Sequence, residues 1–586
     1  MGACMKNNAS LEQEDQWFSK IYCGNKMVEL SIKVFLVGAI LSILLIASNI
    51  YVGLKTGMTI GGSFTAAVLG FVLIKSFKGS LTILENNNIQ TMASAAASLG
   101  VMVSAIPALI LLGYSFTWYE LLLWVFVANI LGVIFAIPLR KQFVAIEKLT
   151  FPSGTACAAT LKAMHATQKS ESAKKGKLLA VAGLLAGIFT WFRDGIPAVI
   201  PSLSFLPGNI SKYALARLTA GAYWSPMLFG IGFLVGPRIG ISLLLGSLIG
   251  WIILGPILAN ANIINGVGYR VILNWTMWSA IALMVTSGIT SFIINGGAIS
   301  RTFKSMKEVK LGKSSSVEFS FNLWMIIFLI CVVVIAIVMQ VVFSIPFWMT
   351  LIAVVISFLF SLIAARAYGE TDMSPAGAMG YATQIIYGGI SPGNMVTNVM
   401  AAGVAASGAN QASDMMQDFK TGYLLGATPK KQTYAQFAGV AVGAIVAVPI
   451  FYALINAYGL ASANLPAPSA QGWSGMAKVL SQGFTVLPAF AYIGVICGVV
   501  LGIILALLES TKMKKYVPSP FGLGIGMFFP AFFSVSIFLG SAVKFILEKI
   551  FPKWMEEYSI SVASGAIIGE GILGVVIAIL MFFGVL

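Results

Sequence analysis

Residues 320–343 read SFNLWMIIFLICVVVIAIVMQVVF and contain no charged side chain. A helix needs about 20 mostly apolar residues to cross the hydrocarbon core of a bilayer, and this stretch is long enough to do so. The whole chain has the same character, because 58% of its 586 residues are hydrophobic and only 10% are charged. Soluble domains carry about 25% charged residues. The sequence therefore predicts an all-α polytopic membrane protein.

Stretches of spanning length recur along the chain and predict about fourteen full transmembrane helices. They lie near 33–54, 57–75, 89–113, 118–138, 178–196, 219–236, 238–258, 274–296, 320–343, 346–366, 433–456, 483–508, 520–545 and 560–585. The apolar stretches 143–165 and 376–410 are interrupted by Gly, Pro, Ser, Thr and Asn, which predicts two broken or re-entrant segments and about 14–16 spans in total. Irregular backbone at membrane depth is tolerated where it lines a water-filled cavity, so both segments are expected to line a path through the membrane.

The basic residues predict the topology. If residues 1–32 form a cytoplasmic N-terminal tail and the spans alternate, most of the 36 Lys and Arg residues fall on the inner side, as is typical of membrane proteins. Both termini are then cytoplasmic, and no cleavable signal peptide is expected. Residues 33–586 are expected to form one transmembrane domain with halves at about 33–300 and 320–586, joined by short polar loops such as 302–316 inside and 457–482 outside.

Composition and missing motifs exclude several classes of protein. The formal charge of +16 is accounted for by cytoplasmic loops, so no nucleic-acid partner is expected. The five cysteines are scattered and His165 is the only histidine, so no metal site is expected. The absence of HExxH, GxSxG and GxxxxGK[ST] argues against an intramembrane enzyme and an ATP-driven pump. Two dissimilar broken segments in one long chain argue against a channel with a symmetric filter.

Polar residues near the ends of the apolar stretches are the candidate site residues, because such groups are costly in hydrocarbon unless they face a cavity or a partner. The candidates for solute binding are Tyr51, Lys55, Glu85, Asn86, Gln90, Ser153, Thr155, Asn394, Asn398, Gln411 and Lys420. Glu85, Glu370, Asp372 and Asp414, with Glu570 as a weaker candidate, could hold a cation or titrate. The alternative is structural: amides cap helix ends, Lys55 reaches an interface, and small residues serve tight packing.

The chemistry of these residues favours hydrogen bonding over charge clamps. Amides, hydroxyls and the backbone of broken helices suit a zwitterionic or peptide-like solute, or a chelate, better than a bare inorganic cation. Glu85–Gln90 and Asn394–Asn398 each begin a predicted helix, where unsatisfied N–H groups favour an anionic or carbonyl group. We hypothesise that these two helix starts face one central cavity and hold the solute together.

The string Asn49-Ile-Tyr-Val-Gly-Leu-Lys55-Thr-Gly resembles the first signature of the oligopeptide transporter family. Further matches to that family are Glu85-Asn-Asn-Asn-Ile-Gln90-Thr-Met-Ala-Ser-Ala, Phe151-Pro-Ser-Gly-Thr-Ala, Gly369-Glu-Thr-Asp, Pro392-Gly-Asn-Met-Val-Thr-Asn398 with Ala401-Ala-Gly403, Asp414-Met-Met-Gln-Asp418-Phe-Lys420-Thr-Gly422-Tyr, Leu425-Gly-Ala-Thr-Pro429-Lys-Lys-Gln432 and Gly569-Glu570-Gly571. The resemblance runs from about residue 33 to the C-terminus and is to compact prokaryotic members.

The resemblance implies a secondary active transporter in a prokaryotic inner membrane. It implies small oligopeptides or metal chelates of the yellow-stripe-like kind as solutes, and a proton gradient as the driving force without another cofactor. Glu85, Glu370, Asp372 and Asp414 are then the candidates for proton coupling. The family also implies an internal duplication, although the 118–138 helix shows no obvious counterpart in the second half. Another small polar solute, export instead of import, and assembly into a homo-oligomer remain open.

Overall fold

The computed structural model describes residues 17, 20–24, 26–59, 61–76, 80–165, 169–196, 199–294, 318–371 and 374–585. Asp372, the predicted inner loop 302–316 and most of the predicted tail 1–32 lie outside the described residues.

The helices of the first half are α1 Ile32–Thr56, α2 Ser63–Ser76, α3 Ile83–Ala97, α4 Ala105–Leu111, α5 Trp118–Arg140, α6 Pro152–His165, α7 Lys169–Asp194, α8 Pro226–Ser247, α9 Gly255–Asn260 and α10 Tyr269–Ile294. Two short antiparallel pairs, β1 Leu203–Phe205 with β4 Gly221–Tyr223 and β2 Asn209–Ile210 with β3 Tyr213–Ala214, precede α8.

The second half is also helical throughout its described part. Its helices are α11 Phe321–Phe343, α12 Phe347–Thr371, α13 Ala376–Ile390, α14 Met395–Leu425, α15 Pro429–Tyr458, α16 Pro468–Gln482, α17 Ala491–Glu509, α18 Pro520–Phe528, α19 Ala531–Ile550 and α20 Pro552–Phe582. Twelve helices of the described chain are long and apolar enough to cross a membrane. This confirms an all-α multi-pass membrane protein, while the number of fourteen full spans remains a prediction.

The differences in span number have local causes. The predicted span 57–75 becomes α2, whose 14 residues are too few for a full crossing. The predicted span 520–545 is divided into α18 and α19 because Pro530 interrupts the helical hydrogen bonds. The predicted spans 219–236 and 238–258 correspond to the helical stretch Pro226–Asn260, which a sharp bend divides into two arms, one for each predicted span.

That bend lies at Gly236, whose φ of 76° and ψ of 176° are not helical. A Cβ atom at Gly232 would lie 2.7 Å from the Ser541 backbone N, and a Cβ atom at Gly240 would lie 2.1 Å from the Ser541 hydroxyl. In a straight helix, residues eight positions apart are separated by about 12 Å along the axis, so they could not both contact one residue of α19. The chain therefore folds back at Gly236, where glycine is favoured because φ is positive.

Both predicted broken segments are broken. A π-helical turn, Lys141–Ile146, leads into an irregular stretch before α6, with positive φ at Lys148 and Phe151. Residues 391–394 separate α13 from α14, with positive φ at Gly393. The prediction of a polar loop at 457–482 is wrong, because most of it is helix α16, whose Trp473 is only 3% exposed; its position on the outer side stays a prediction.

The two halves follow the same order of helix lengths. In the first half, α1, α2, Ile83–Leu111, Trp118–Ile146 and α6 have 25, 14, 29, 29 and 14 residues. In the second half, α12, α13, α14, α15 and α16 have 25, 15, 31, 30 and 15 residues. The packing agrees: α2 contacts α6 as α13 contacts α16, and α3 contacts α15 as α14 contacts α5. This is the order expected of an internal repeat, and α15 is the counterpart of the 118–138 helix that the sequence did not reveal.

Candidate functional site

A cavity of about 370 Å³ lies between the two halves, and residues of the predicted broken segment 376–410 line it, whereas none of 143–165 does. It is bordered by the turn that follows α1, by the irregular stretch between α3 and α4, by the middle of α14 and by the first residues of α13 and α16. The polar and aromatic residues of its lining are Thr59, Ser104, Ser374, Tyr381, Ser407, Asn410, Ser469, Trp473 and Phe521. Binding sites for small ligands usually measure about 300–1,000 Å³, so the cavity is large enough for a small solute.

Two helices begin at this cavity. Ala376 and Gly377 are the first two residues of α13, Pro468 and Ser469 are the first two of α16, and all four line the cavity. The first backbone N–H groups of a helix have no partner inside the helix and carry a partial positive charge. The cavity wall therefore attracts carboxylate groups, although no Asp, Glu, Lys or Arg is among the described residues that line it.

None of the predicted binding residues lines this cavity. The sequence missed the lining because small and hydroxyl residues such as Gly377, Ser407 and Ser469 carry no chemical signature of their own. One signal was available for α16: Pro468 follows a short stretch that contains Gly459, Asn464 and Pro466, and Pro is favoured at the first position of a helix.

Gln90, Gln411 and Asp414 come together where α3 crosses α14. The Gln90 side-chain amide donates to Asp418 Oδ1, and Ser94 Oγ donates to Asp414 Oδ1 at 2.9 Å. Further along, Gln411 Nε2 donates to the Ala95 carbonyl at 3.2 Å and Asn410 Nδ2 donates to the Ser98 carbonyl at 2.7 Å. The residue numbers rise on α3 as they fall on α14, so the two helices are antiparallel.

Asp418 is the residue of this group that sequence reasoning left out. It lies four positions after Asp414, and this spacing puts both carboxylates on one face of α14. Asp414 is 7% exposed and Asp418 is 1% exposed. Within the described part of the chain neither carboxylate has an ion-pair partner, and the Oδ2 atom of each lacks a hydrogen bond.

The hypothesis that Asn86 and Asn398 face one cavity is wrong. Ser94 of α3 contacts Asp414 of α14. Asn86 lies eight residues from this contact toward one end of the antiparallel pair, and Asn398 lies sixteen residues from it toward the other end. At 1.5 Å per residue the two amides are about 35 Å apart along the helices. Each bonds a neighbouring helix instead: Asn86 Nδ2 donates to the Ala67 carbonyl at 3.2 Å, and Asn398 Nδ2 donates to the Gln384 carbonyl at 2.5 Å.

Two of the predicted carboxylates have structural partners. Glu85 forms a capping box with Thr82 at the start of α3, and it accepts a hydrogen bond of 2.6 Å from Ser31 Oγ. Glu370 Oε1 lies 3.0 Å from Arg366 Nε, while Arg366 Nη2 lies 2.8 Å from Glu147 Oε2. These contacts agree with the structural alternative for Glu85 and tie Glu370 to the irregular stretch before α6.

The remaining polar candidates are spread over both broken segments. The Asn394 side chain accepts a hydrogen bond from the Thr397 N–H at 3.0 Å and so caps α14. The Thr155 hydroxyl donates to the Thr150 carbonyl at 2.6 Å, and Ser153 is half-buried at the start of α6. Lys420 is 8% exposed, near the C-terminal end of α14. These residues do not form one site with the cavity.

Tyr51 and Lys55 belong to a second buried cluster at the end of α1. Lys55 Nζ lies 4.5 Å from the centre of the Tyr51 ring and 5.2 Å from that of Tyr223, distances at which aromatic rings attract a cation. Lys55 is 2% exposed and has no ion-pair partner among the described residues. The cluster joins α1 to β4. Among the described residues, no group of three or more His, Cys, Asp or Glu could hold a metal ion.

Comparisons with known proteins identify relatives over nearly the whole length of the chain. The family model described as "OPT oligopeptide transporter protein" matches residues 29–581. A "Putative oligopeptide transporter" of Haemophilus influenzae is 28% identical, covering 91% of this chain and 92% of its own length. A "Probable metal-nicotianamine transporter" of Oryza sativa subsp. japonica is 25% identical, with 93% and 85% covered. A "Putative oligopeptide transporter" of Saccharomyces cerevisiae is 24% identical, with 94% and 95% covered.

Proposed function

The chain belongs to the oligopeptide transporter family, and from this premise we propose that it is a secondary active transporter of small oligopeptides or of metal chelates with a peptide-like ligand. Relatives named for oligopeptides and for metal–nicotianamine complexes support both classes of solute. We propose a prokaryotic inner membrane as its location, with both termini in the cytoplasm.

The cavity is the observation that supports this proposal most directly. It lies between interrupted helices of both halves, and transporters built from repeats bind their solutes at discontinuous helices of this kind. The turn that follows α1 and the start of α13 occupy corresponding positions in the two halves, so movement of one half against the other would change the width of the cavity.

The lining supports a solute that carries a carboxylate and little net charge. The N-termini of α13 and α16 offer N–H groups and a positive potential to a carboxylate. Ser407, Asn410 and Ser469 offer hydrogen bonds, and the Tyr381 and Trp473 rings offer apolar surface. A small peptide and a chelate with amino-acid-like arms both have this chemistry.

Protons are the proposed driving ion. An ionised carboxylate without a counter-ion is costly at membrane depth, and Asp414 and Asp418 are two such groups on one helix face. A carboxyl group that binds and releases a proton during the transport cycle removes and restores this cost. Asp414, one of the carboxylates that the sequence suggested, is therefore the candidate that the geometry favours.

A cavity-filling variant tests the proposed site. A Cβ atom at Gly377 would meet no atom within 4 Å, so Gly377→Phe fills the cavity without a clash at its base. Gly389 of the same helix is equally open but does not line the cavity, and Gly389→Phe is the matched control. The measurement is the rise in unfolding temperature on addition of tri- to pentapeptides and metal chelates, which follows by mass action.

We expect a ligand to raise the unfolding temperature of the wild type and of Gly389→Phe but not that of Gly377→Phe. A peptide whose C-terminal carboxylate is converted to an amide should have a weaker effect. A full ligand-induced rise in Gly377→Phe would show that the solute binds elsewhere, and no rise with any peptide or chelate would contradict the proposed solute class.

A further inference from the structure

The two buried carboxylates at the α3–α14 crossing are joined by a chain of two serine hydroxyls. Ser94 Oγ lies 2.9 Å from Asp414 Oδ1, Ser63 Oγ lies 2.9 Å from Ser94 Oγ, and Ser63 Oγ lies 3.3 Å from Asp418 Oδ1. Three helices contribute to the chain: α2 supplies Ser63, α3 supplies Ser94 and α14 supplies both carboxylates.

The number of hydrogen atoms available to these hydrogen bonds determines how many protons the two carboxylates must carry. Each of the three contacts requires one hydrogen atom, a serine hydroxyl supplies one, and an ionised carboxylate supplies none. Two hydroxyls therefore fill two contacts and leave the third as two oxygen atoms facing each other. One added proton, carried by either Asp414 or Asp418, completes all three contacts.

The amide side chains around the two carboxylates also include a hydrogen-bond acceptor for an added proton. Gln90 is fully buried; its Nε2 donates to Asp418, while its Oε1 has no hydrogen-bond partner in the described part of the chain. Gln436 is also fully buried and lies beside the Asp414 carboxylate, with which its side chain interacts. A protonated carboxyl group has an O–H donor to offer to such an acceptor, whereas two ionised carboxylates have none.

Other charged groups do not neutralise the pair. Helices α3, α5, α6, α12, α13, α15 and α16 pack against α14, and the Cys157 thiol of α6 lies beside Asp418. Lys420 of α14 itself faces Lys148. Several charged residues of the surrounding helices have other partners: Glu85 bonds Ser31, Arg140 pairs with Glu318, Arg366 pairs with Glu147, and Lys431 pairs with Glu29.

We propose that Asp414 and Asp418 share a single proton through Ser94 and Ser63, and that this proton is the coupling ion of the transport cycle. The count of hydrogen atoms favours a proton over a metal cation, because a metal cation supplies no hydrogen to the empty contact. This proposal adds Asp418, Ser63 and Ser94 to the transport mechanism. The role of the shared proton in coupling rests on the proposed transport function.

The position of the pair explains how its proton affects the solute. Asn410 lines the cavity and bonds the Ser98 carbonyl, and Asp414 follows it one helical turn further along α14. The pair also ties α14 of the second half to α2 and α3 of the first. Loss of the proton breaks one contact of this tie and sets two negative charges against each other, so it loosens the junction at one end of the cavity.

Infrared spectroscopy of the purified protein in lipid tests the shared proton without any solute. A protonated carboxyl group has a C=O band separate from the bands of ionised carboxylates. Asn resembles a protonated Asp because its NH₂ group donates the missing hydrogen, so in Asp414→Asn and in Asp418→Asn the other carboxylate needs no proton. We expect the band in the wild type and its complete loss in each single variant. Glu509→Gln, which removes a partly exposed carboxylate paired with Arg238, should keep it.

Three results would overturn the proposal: no such band in the wild type, a band that persists at half intensity in each Asp→Asn variant, or a band that Ser63→Ala leaves unchanged. Half intensity would mean two independent protons. Ser63→Ala keeps both carboxyl groups and removes one of the two bridging hydroxyls, so it should shift the band even if an Asp→Asn variant fails to fold. A wild type that transports no solute would refute the proposed function, while the infrared result would still decide the proton site.

Discussion

Arg193 and Glu570 form an ion pair inside the protein: Arg193 Nη2 lies 3.0 Å from Glu570 Oε1, and neither side chain is exposed. The pair joins α7 to α20. Glu570 also accepts hydrogen bonds of 2.8 Å from Ser225 Oγ and from the Met227 backbone N–H, at the start of α8. These contacts support a structural role for Glu570, which the sequence suggested as a weaker coupling residue.

Glu570→Ala should therefore destabilise the protein. Removing one partner of a buried pair leaves the other charge uncompensated and typically costs about 3–5 kcal/mol; Asp194, which also pairs with Arg193, will reduce this cost. Glu509→Ala breaks the partly exposed pair with Arg238 and should cost about 0–1 kcal/mol. Thermal unfolding of both variants in the same detergent provides the comparison, and equal losses of stability would contradict the structural role.

Lys55→Met should separate stability from function. The ammonium group is buried without an ion-pair partner among the described residues, and its contacts with aromatic rings offset only part of the cost of burial. We expect an unfolding temperature equal to or higher than that of the wild type, together with a loss of solute accumulation. Normal accumulation in Lys55→Met would remove Lys55 from the transport mechanism.

Asn398→Ala and Asn86→Ala should affect stability and leave solute affinity unchanged. Each amide bonds a backbone carbonyl of a neighbouring helix, and the loss of a buried hydrogen-bond partner costs about 1–3 kcal/mol. Solute affinity and thermal stability are measured on the same preparations. A tenfold loss of affinity with unchanged stability would restore these residues to the binding site.

Ser469→Cys should react with a thiol reagent and be protected by the solute, because Ser469 lines the cavity. The predicted topology adds that a cysteine at Ser314 labels from the opposite face of intact cells. The matched control is Ser462→Cys, which lies in the same connection but does not line the cavity and should label equally with and without solute. Labelling of positions 314 and 469 from the same face would contradict the topology.

The sequence predicted the apolar helices, including Ile83–Leu111 and Trp118–Ile146, which are 72% buried in their most apolar parts, and it missed the helices rich in polar residues. An apolar run such as 320–343 is visible because lipid surrounds it on several sides, and only 28% of the most apolar part of α11 is buried inside the molecule. The full length of α14 was not recognised because polar residues such as Asn398, Gln411 and Asp414, which bond neighbouring helices, interrupt its apolar pattern. Helix α16 was taken for a loop for the same reason.

The candidate site was predicted less well than the fold. Many of the predicted motif residues are buried, but Thr155, Glu370 and Asn394 are exposed. The partners of the buried ones depend on the crossing of distant segments: Ser63 and Asp418 are 355 positions apart. The i, i+4 spacing of Asp414 and Asp418 was visible in the sequence. The bridging serines and the cavity were not, because Ser, Gly and Ala are common in every packed membrane helix.

The central claim is gradient-driven transport, and solute uptake by proteoliposomes tests it most directly. Purified wild-type protein is reconstituted, and accumulation of a labelled peptide or chelate is measured with and without a pH gradient, beside Asp418→Asn and protein-free vesicles. We predict accumulation by the wild type only under the gradient, and by Asp418→Asn exchange of solute without accumulation. Equal uptake by the wild type with and without the gradient, or full accumulation in Asp418→Asn, would contradict this account.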